Sequence, residues 1–224
     1  LGRRRGEAMQ PFSRSDQNRL DALRLEAVLR RVCDGFEART TALRQQIGAL
    51  FHRGADPATV AGETVRLLGT TYGWEYVAVF RVNRARGLFE VVAEHDPSGQ
   101  LSVGLDYTQP LNAGMLGAVL RWGEPLSTDN VRADPPPFGY ISSRDAQKSA
   151  MCFPVRIHHD VNRGRLRPGN EPDPEIEWIL DLESSQIGGF FPPDQDALQG
   201  IIDDIERTLS LWFEARLNAA LLAL

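Results

Sequence analysis

The strongest constraint on this fold is a pair of neighbouring segments in which apolar and polar residues alternate. Residues 74–82 (WEYVAVFRV) and 88–95 (LFEVVAEH) show the period of two that is typical of β-strands, and residues 83–87 between them read as a turn. Two adjacent strands joined by so short a turn must pair antiparallel. The chain is therefore predicted to contain an antiparallel sheet.

Helices are predicted on both sides of this hairpin. Residues 16–53 carry apolar side chains at steps of three and four, which is the pattern of an amphipathic helix. Asp56 and Pro57 begin a second helix, and Gly73 ends it. A closing helix is predicted to start at the Pro-Pro-Asp sequence of residues 192–194 and to continue to the C-terminus.

The middle of the chain adds shorter elements. Four more strands and one short helix are predicted at residues 101–105, 125–127, 149–158, 178–183 and 115–122, with a long loop over residues 129–148. Two helices, a hairpin, small elements, two strands and a final helix favour an α+β fold. We expect the helices at both ends of the chain to cover one face of the sheet.

The charge balance argues against two classes of partner. Lys and Arg number 25 against 30 Asp and Glu, a net charge of −5 at pH 7, so no cation excess marks a nucleic-acid or anionic-membrane surface. No segment approaches the roughly 20 apolar residues of a membrane span. The two cysteines, Cys33 and Cys152, form no CxxC or His–Cys cluster, which argues against a disulfide framework and a zinc site. We expect a cytoplasmic protein.

Six short motifs follow one another between residues 57 and 211. In their order and spacing they resemble a GAF domain, a family of signalling and sensor modules common in bacteria. The motifs are GMLG (114–117), GEPL (123–126), DNV (129–131), SAMCFPV (149–155), LDLES (180–184) and FPPDQD (191–196). The resemblance implies a GAF-like (PAS-like) antiparallel sheet of about six strands, with helices on one side and a small-molecule cavity on the other. The sequence departs from the usual family pattern at residues 160–175, where many members have a tight turn.

The resemblance and the helical patterns together predict the domain organisation. Residues 1–15 are interpreted as a linker or disordered N-terminus, residues 16–53 as a signalling and dimerisation helix, and residues 54–224 as a GAF domain that carries an insertion at 160–175. The apolar repeats of the terminal helices continue beyond what one small sheet buries, which predicts a homodimer through a coiled-coil-like bundle. An output domain in a longer chain is a further expected partner.

The function implied by the resemblance is that of a sensory or regulatory module without enzymatic activity. It would bind a small ligand of unknown identity and relay its presence through the paired terminal helices, and the sequence identifies no cofactor. One alternative is a dimerisation scaffold that binds no ligand. A second is a free methionine sulfoxide reductase, because LDLES is similar to the acidic strand motif of those GAF enzymes. Those enzymes require more than one cysteine around the pocket, and only Cys152 is near it.

Candidate ligand-binding residues come from the loop and strand that the resemblance places around the cavity: Tyr107, Trp122, Asp129, Phe138, Tyr140 and Cys152. Each also has an ordinary structural role, since aromatic side chains fill cores and Asp caps turns. Cys152 is either a small buried residue or a reactive thiol, for which Arg156 and His158 on the same strand face would supply positive charge.

Two further groups of residues carry side chains suited to acid–base chemistry or metal binding. Asp181 and Glu183 lie on one face of the last strand, where a carboxylate pair suits acid–base chemistry and a water-facing edge explains it equally well. His158 and His159, followed by Asp160, resemble a metal site. Consecutive strand residues point to opposite faces, so the two imidazoles are not expected to converge on one ion.

Overall fold

The described part of the chain begins within the predicted N-terminal helix. The computed structural model describes residues 35–50, 55–133, 135–142, 144–157 and 175–221. The predictions for residues 1–15, for His158 to Asp160 and for most of the 160–175 insertion therefore lie outside the described residues. The chain divides into two compact units, Leu1–Arg39 and Thr40–Leu224. In the first unit, the described residues 35–39 are helical.

Six strands form one antiparallel sheet, as predicted. They are β1 (Tyr76–Asn83), β2 (Leu88–His95), β3 (Thr108–Pro110), β4 (Leu126–Thr128), β5 (Ser149–Arg156) and β6 (Ile176–Ser184). Their order across the sheet is β3-β2-β1-β6-β5-β4, and every neighbouring pair is antiparallel. The last strand in sequence, β6, therefore lies in the centre of the sheet between β1 and β5.

In the described residues, four α-helices accompany the sheet. They are α1 (residues 35–50), α2 (Pro57–Tyr72), α3 (Gly114–Trp122) and α4 (Pro192–Leu221). The Asp56 side chain caps α2 by accepting from the N–H groups of its first turn, and Gly73 ends that helix with φ of 74°. Within the described residues, no helix is long and apolar enough to cross a membrane.

The sheet separates two apolar cores. On one face, Leu180 and Leu182 of β6 pack with α2, α4 and the α1 residues Leu43 and Ile47. On the other face, residues of β1, β2 and β5 pack with α3 and with the segments before and after it. The terminal helices thus cover one face, as the sequence predicts, and leave the second face to a smaller set of elements.

The prediction of a strand at residues 101–105 is wrong, and the third strand is instead Thr108–Pro110. The reason lies in where the backbone N–H groups of this segment go. Asp96 accepts from the N–H groups of residues 101 and 102 at 2.7 Å, and Glu94 accepts from the next two at 3.3 Å. Donors that are satisfied by nearby carboxylates are not available for pairing with a neighbouring strand.

Candidate functional site

A pair of carboxylates lies in the middle of the sheet, on the face turned away from α2 and α4. Asp181 is opposite Ala78 of β1 and Cys152 of β5, and Glu183 is opposite Tyr76 of β1. Asp181 is 6% exposed and Glu183 is 5% exposed. The interpretation of this pair as a water-facing edge is therefore wrong, because β6 is a central strand that is covered on both faces.

The acid pair forms part of the wall of a small cavity. The volume of this cavity is about 20 Å³, which is room for roughly one water molecule. It lies between the sheet, α3 and the loop that joins β4 to β5. Its lining combines apolar, phenolic, amide, thiol and carboxyl groups from Phe80, Val103, Tyr107, Gln109, Met115, Leu116, Tyr140, Ile141, Cys152, Asp181 and Glu183.

Each carboxylate of the pair has its own hydrogen-bond partners. The Tyr140 hydroxyl donates to Glu183 Oε1 at 2.5 Å, and the Gln147 side-chain amide donates to Glu183 Oε2. The Cys152 thiol donates to Asp181 Oδ1 across 3.0 Å. In the described part of the chain, no cationic side chain pairs with either carboxylate.

Burial controls the ionisation of these groups. It raises the pKa of Asp181 to about 6, although the hydrogen bond from Cys152 works in the opposite direction. Burial, and after it repulsion by Asp181, raises the pKa of Glu183 well above its ordinary value despite the two hydrogen bonds that it accepts. The pair therefore resists a double negative charge, and its second ionisation is displaced toward neutral pH or above.

The hydroxyl groups of three tyrosines are kept neutral near the acid pair. Burial raises the pKa of Tyr76, Tyr107 and Tyr140, and the negative charges of Asp181 and Glu183 raise each one further. Such phenols remain hydrogen-bond donors at any physiological pH. The cavity therefore combines a pair of carboxyl groups with neutral phenols that can donate hydrogen bonds.

The surroundings of Cys152 are acidic. Burial, and then the charge of Asp181, raises the pKa of this thiol well above its ordinary value, and the side chain is 1% exposed. Arg156, expected to supply positive charge here, follows a register shift in β5 and pairs with Glu206 of α4, its backbone N–H donating at 2.8 Å. The thiol thus remains protonated, in agreement with its interpretation as a small buried residue.

Three of the six candidate residues from the sequence line the cavity, namely Tyr107, Tyr140 and Cys152. The Tyr107 ring packs edge-on against Phe80 at 6.3 Å between centroids, and its hydroxyl donates to Gln109 Oε1 at 3.1 Å. These side chains come from three separate parts of the chain, and the sheet brings them together.

The other three candidates lie outside the cavity lining. Trp122 is 48% exposed and Phe138 is 37% exposed, and their rings meet edge to face at 5.9 Å between centroids. Asp129 is exposed, and its backbone carbonyl accepts from the N–H of Gly188 at 2.8 Å. The Trp122–Phe138 contact joins the end of α3 to the loop that carries Tyr140.

Two elements of the site were available only in part from the sequence. The sequence signal for the burial of Asp181 and Glu183 is weak, because their face of the strand carries the charged Glu177 and a single apolar residue, Ile179. Gln147, which is 1% exposed, carries no such signal. It lies in an irregular loop, and only the folded chain brings it to Glu183.

No family model matches this sequence, and no curated protein matches it. Solved structures do match the fold. A free methionine-R-sulfoxide reductase from Neisseria meningitidis, in complex with its substrate, aligns with a TM-score of 0.61 at 16% identity over 79% of this chain and 91% of the other.

Two GAF domains align comparably well. The phycoerythrobilin-bound GAF domain of a cyanobacterial phytochrome gives a TM-score of 0.60 at 14% identity over 80% of this chain and 99% of that domain. The GAF domain of an Acinetobacter phosphoenolpyruvate-protein phosphotransferase gives 0.58 at 11% identity, with 76% and 92% covered. Identities this low speak for the fold alone. With its six-stranded antiparallel sheet between two cores, this chain has a GAF-like α+β fold.

Proposed function

We propose that this chain is a GAF-type sensory module of a bacterial signalling protein, which binds a small ligand beside Asp181 and Glu183. One observation carries the proposal: two buried carboxylates share a cavity, and no cationic side chain of the described residues compensates them. Buried carboxyl groups without a cationic partner are costly to ionise. A ligand with an amine, amidine or guanidine group would supply the missing positive charge.

The sheet offers a route from the cavity to the terminal helices. Asp181 and Glu183 face the cavity, while Leu180 and Leu182, their neighbours in β6, are buried in the core formed with α4 and the α1 residue Leu43. A ligand that shifts β6 would therefore move side chains packed against both helices. Such a ligand changes the helix arrangement only by the difference in its affinity for two states, so the helix pair must have two packings.

A ligand-free dimerisation scaffold is the second candidate. The observation in its favour is the cavity volume of about 20 Å³, which admits roughly one water molecule. On this interpretation the acid pair retains a proton because it is buried, and Tyr140 and Gln147 supply the hydrogen bonds of Glu183 without any ligand.

A free methionine sulfoxide reductase is the third candidate, since one of the structures with this fold is such an enzyme. This activity would need a reactive thiolate, and Cys152 is buried with a raised pKa. The reductase interpretation predicts thiol-dependent turnover that Cys152→Ser abolishes.

Thermal unfolding in the presence of small cations tests the leading proposal. The full chain is melted with a panel of primary amines, amidines and guanidines, each paired with a neutral analogue of the same shape. We expect at least one cation to raise Tm in a concentration-dependent way. An Asp181→Asn, Glu183→Gln double variant should lose this response. The absence of any response in the wild type, or an equal response in the variant, would contradict the proposal.

A further inference from the structure

The loop between β4 and β5 supplies both hydrogen-bond partners of Glu183. The Tyr140 hydroxyl donates to one carboxylate oxygen at 2.5 Å, and the Gln147 amide donates to the other. Tyr140 is half-buried and Gln147 is buried. Each carboxylate oxygen of Glu183 therefore already accepts one hydrogen bond from a residue of this loop.

Gln147 and Tyr140 differ in how the backbone around them is hydrogen-bonded to the rest of the protein. The backbone carbonyl of Gln147 accepts from the Arg132 guanidinium at 3.1 Å. The next residue, Lys148, donates its N–H to the Ser184 carbonyl at 2.9 Å and accepts from the Val131 N–H at 2.8 Å. The backbone at Gln147 and Lys148 is thus hydrogen-bonded to the sheet and to the loop segment at residues 131 and 132.

Residues 137–141, which we call the plug segment, make no comparable backbone hydrogen bonds to the sheet in the described structure. Within the described structure, the Tyr140 phenol makes the hydrogen bond that ties this segment to the sheet, and its backbone bonds are local, to Pro136 and Pro137. Its other contacts are made by apolar side chains, such as the edge-to-face packing of Phe138 on Trp122. The plug segment is therefore attached mainly through side chains, namely Phe138 on Trp122, Tyr140 on Glu183 and Ile141 beside Gly114.

The plug segment is also strained in its closed position. Phe138 has φ of 56°, and it is the one residue other than glycine with positive φ in the described structure. The left-handed region is unfavourable for a bulky aromatic residue, and such strain persists only where the surroundings enforce it. Opening of the segment would release this strain, which lowers the free-energy difference between closed and open forms.

The cavity is too small for an organic ligand while the plug segment is in place. With the Tyr140 ring in its wall, the cavity has a volume of about 20 Å³, so an organic ligand cannot reach Glu183 while the ring stays in place. We propose that Tyr140 is a displaceable plug: its phenol occupies the position that a ligand's donor group takes on Glu183 Oε1, and residues 137–141 move outward when that ligand binds. The identity of the displacing group rests on the proposed function, whereas the opening of the plug does not.

This arrangement makes the site self-inhibited. The phenol competes with the ligand for one oxygen of Glu183, while Gln147 remains bonded to the other. The apparent affinity of the protein for the ligand is therefore its intrinsic affinity multiplied by the fraction of molecules whose plug is open. Removal of the phenolic hydroxyl should therefore open the cavity more often without removing any group that the ligand is expected to contact.

Cys152 provides a reporter of opening that needs no ligand. Its thiol lines the same cavity and is 1% exposed, so N-ethylmaleimide, which is larger than the cavity, can react only after the plug has moved. The experiment uses the full chain with Cys33→Ser, and intact-mass spectrometry follows the modification of Cys152. Tyr140→Phe keeps the ring and removes the hydroxyl. Tyr107→Phe is the matched control, because it removes a phenol of the same cavity that bonds to Gln109 rather than to Glu183.

We expect Tyr140→Phe to accelerate the labelling of Cys152 about tenfold, which corresponds to about 1.4 kcal/mol for the lost hydrogen bond. Tyr107→Phe should change the rate less than about twofold. In the protein with an intact Tyr140, labelling should be insensitive to low concentrations of urea, because a local opening exposes little surface. This last measurement needs no substitution in the cavity.

Two results would overturn the plug. One is equal acceleration by the two variants, and the other is a labelling rate that rises with urea as steeply as global unfolding does. Both results are independent of ligand binding. A cavity that opens as expected but never responds to cations would retain the plug and remove the proposed function, while the reverse result would retain the function and remove the plug.

Discussion

At the scale of single residues, the buried carboxylates of Asp181 and Glu183 set the pH dependence that we expect of this fold. Burial raises the pKa of Asp181 to about 6, whereas the unfolded chain ionises this group at its ordinary, lower pKa. A carboxyl group with a raised folded-state pKa contributes stability that is fully present below the unfolded pKa. That contribution is lost as the pH rises through the folded value.

Asp181→Asn tests this linkage. The amide has no charge to bury, so the stability advantage of the variant over the wild type should grow with pH. The advantage should increase by about 3 kcal/mol from about pH 4 to about pH 8. Urea unfolding at several pH values measures the difference. Asp129→Asn, at an exposed carboxyl group, is the control and should show little change. A stability difference between Asp181→Asn and the wild type that does not vary with pH would show that the pKa of Asp181 is not raised by folding.

Residue patterns predicted some parts of the site well and others poorly, for physical reasons. The alternation of β6 placed Asp181 and Glu183 on one face, and the structure confirms this. Their burial depends on the position of β6 within the sheet, which alternation alone does not reveal. Arg156 was expected beside Cys152, but a register shift in β5 redirects it to Glu206. Periodicity is a reliable guide only until a bulge interrupts it.

At the scale of elements, glycine positions determine how closely α3 approaches the chain that leads into it. A Cβ atom on Gly117 would lie 2.8 Å from the backbone carbon of Asn112 and 2.9 Å from the carbonyl oxygen of Leu111. Backbone atoms at that distance cannot give way without a shift of the whole helix. Because α3 supplies Met115 and Leu116 to the cavity wall, such a shift would also alter the site.

Gly117→Ala is therefore expected to destabilise the fold by about 1 to 3 kcal/mol. Gly62→Ala in α2 is a matched substitution, since no atom lies within 4 Å of the added methyl group. It should instead stabilise the helix by about 0.5 to 1 kcal/mol. Chemical denaturation of the two variants beside the wild type measures both effects. Equal effects of the two substitutions would refute the close approach of α3.

The elements themselves were largely predictable because each has a local signal. The caps at Asp56 and Gly73, the turn before Leu88 and the proline pair that opens α4 all act within a few residues. The segment that follows β2 was not predictable. Its apolar residues alternate as a strand would, but Asp96 and Glu94 take up its backbone donors. Competition from side chains decides such cases, and it depends on how the carboxylates are oriented in the fold.

At the scale of the whole molecule, we propose that the terminal helices pair with those of a second copy. The outer surface of α1 and α4 forms an open groove of about 480 Å³, in which Leu211 lies beside the ion pairs that Arg44 and Arg207 make with Asp204. The side chain of Leu211 is 60% exposed. A second copy that packs against this groove would bury the side chain of Leu211.

Leu211→Asp should weaken the dimer at least about tenfold in Kd, because it replaces a buried apolar contact with a charge. Sedimentation equilibrium over a range of concentrations gives that Kd. Ile187→Asp, which introduces the same charge at a 66% exposed site before α4, should leave the dimer intact. A wild type that is monomeric at all concentrations, or equal weakening by both substitutions, would exclude this surface.

Native mass spectrometry of the gently purified full chain, in wild-type form and as the Asp181→Asn, Glu183→Gln double variant, shows directly whether a ligand is bound at the acid pair. We expect a wild-type dimer that carries additional mass, released on denaturation, and a variant dimer that carries none. The released mass would identify the ligand, and its positive charge could be checked against the acid pair. An empty wild-type protein, or the same added mass on both proteins, would contradict a ligand sensor built around these two carboxylates.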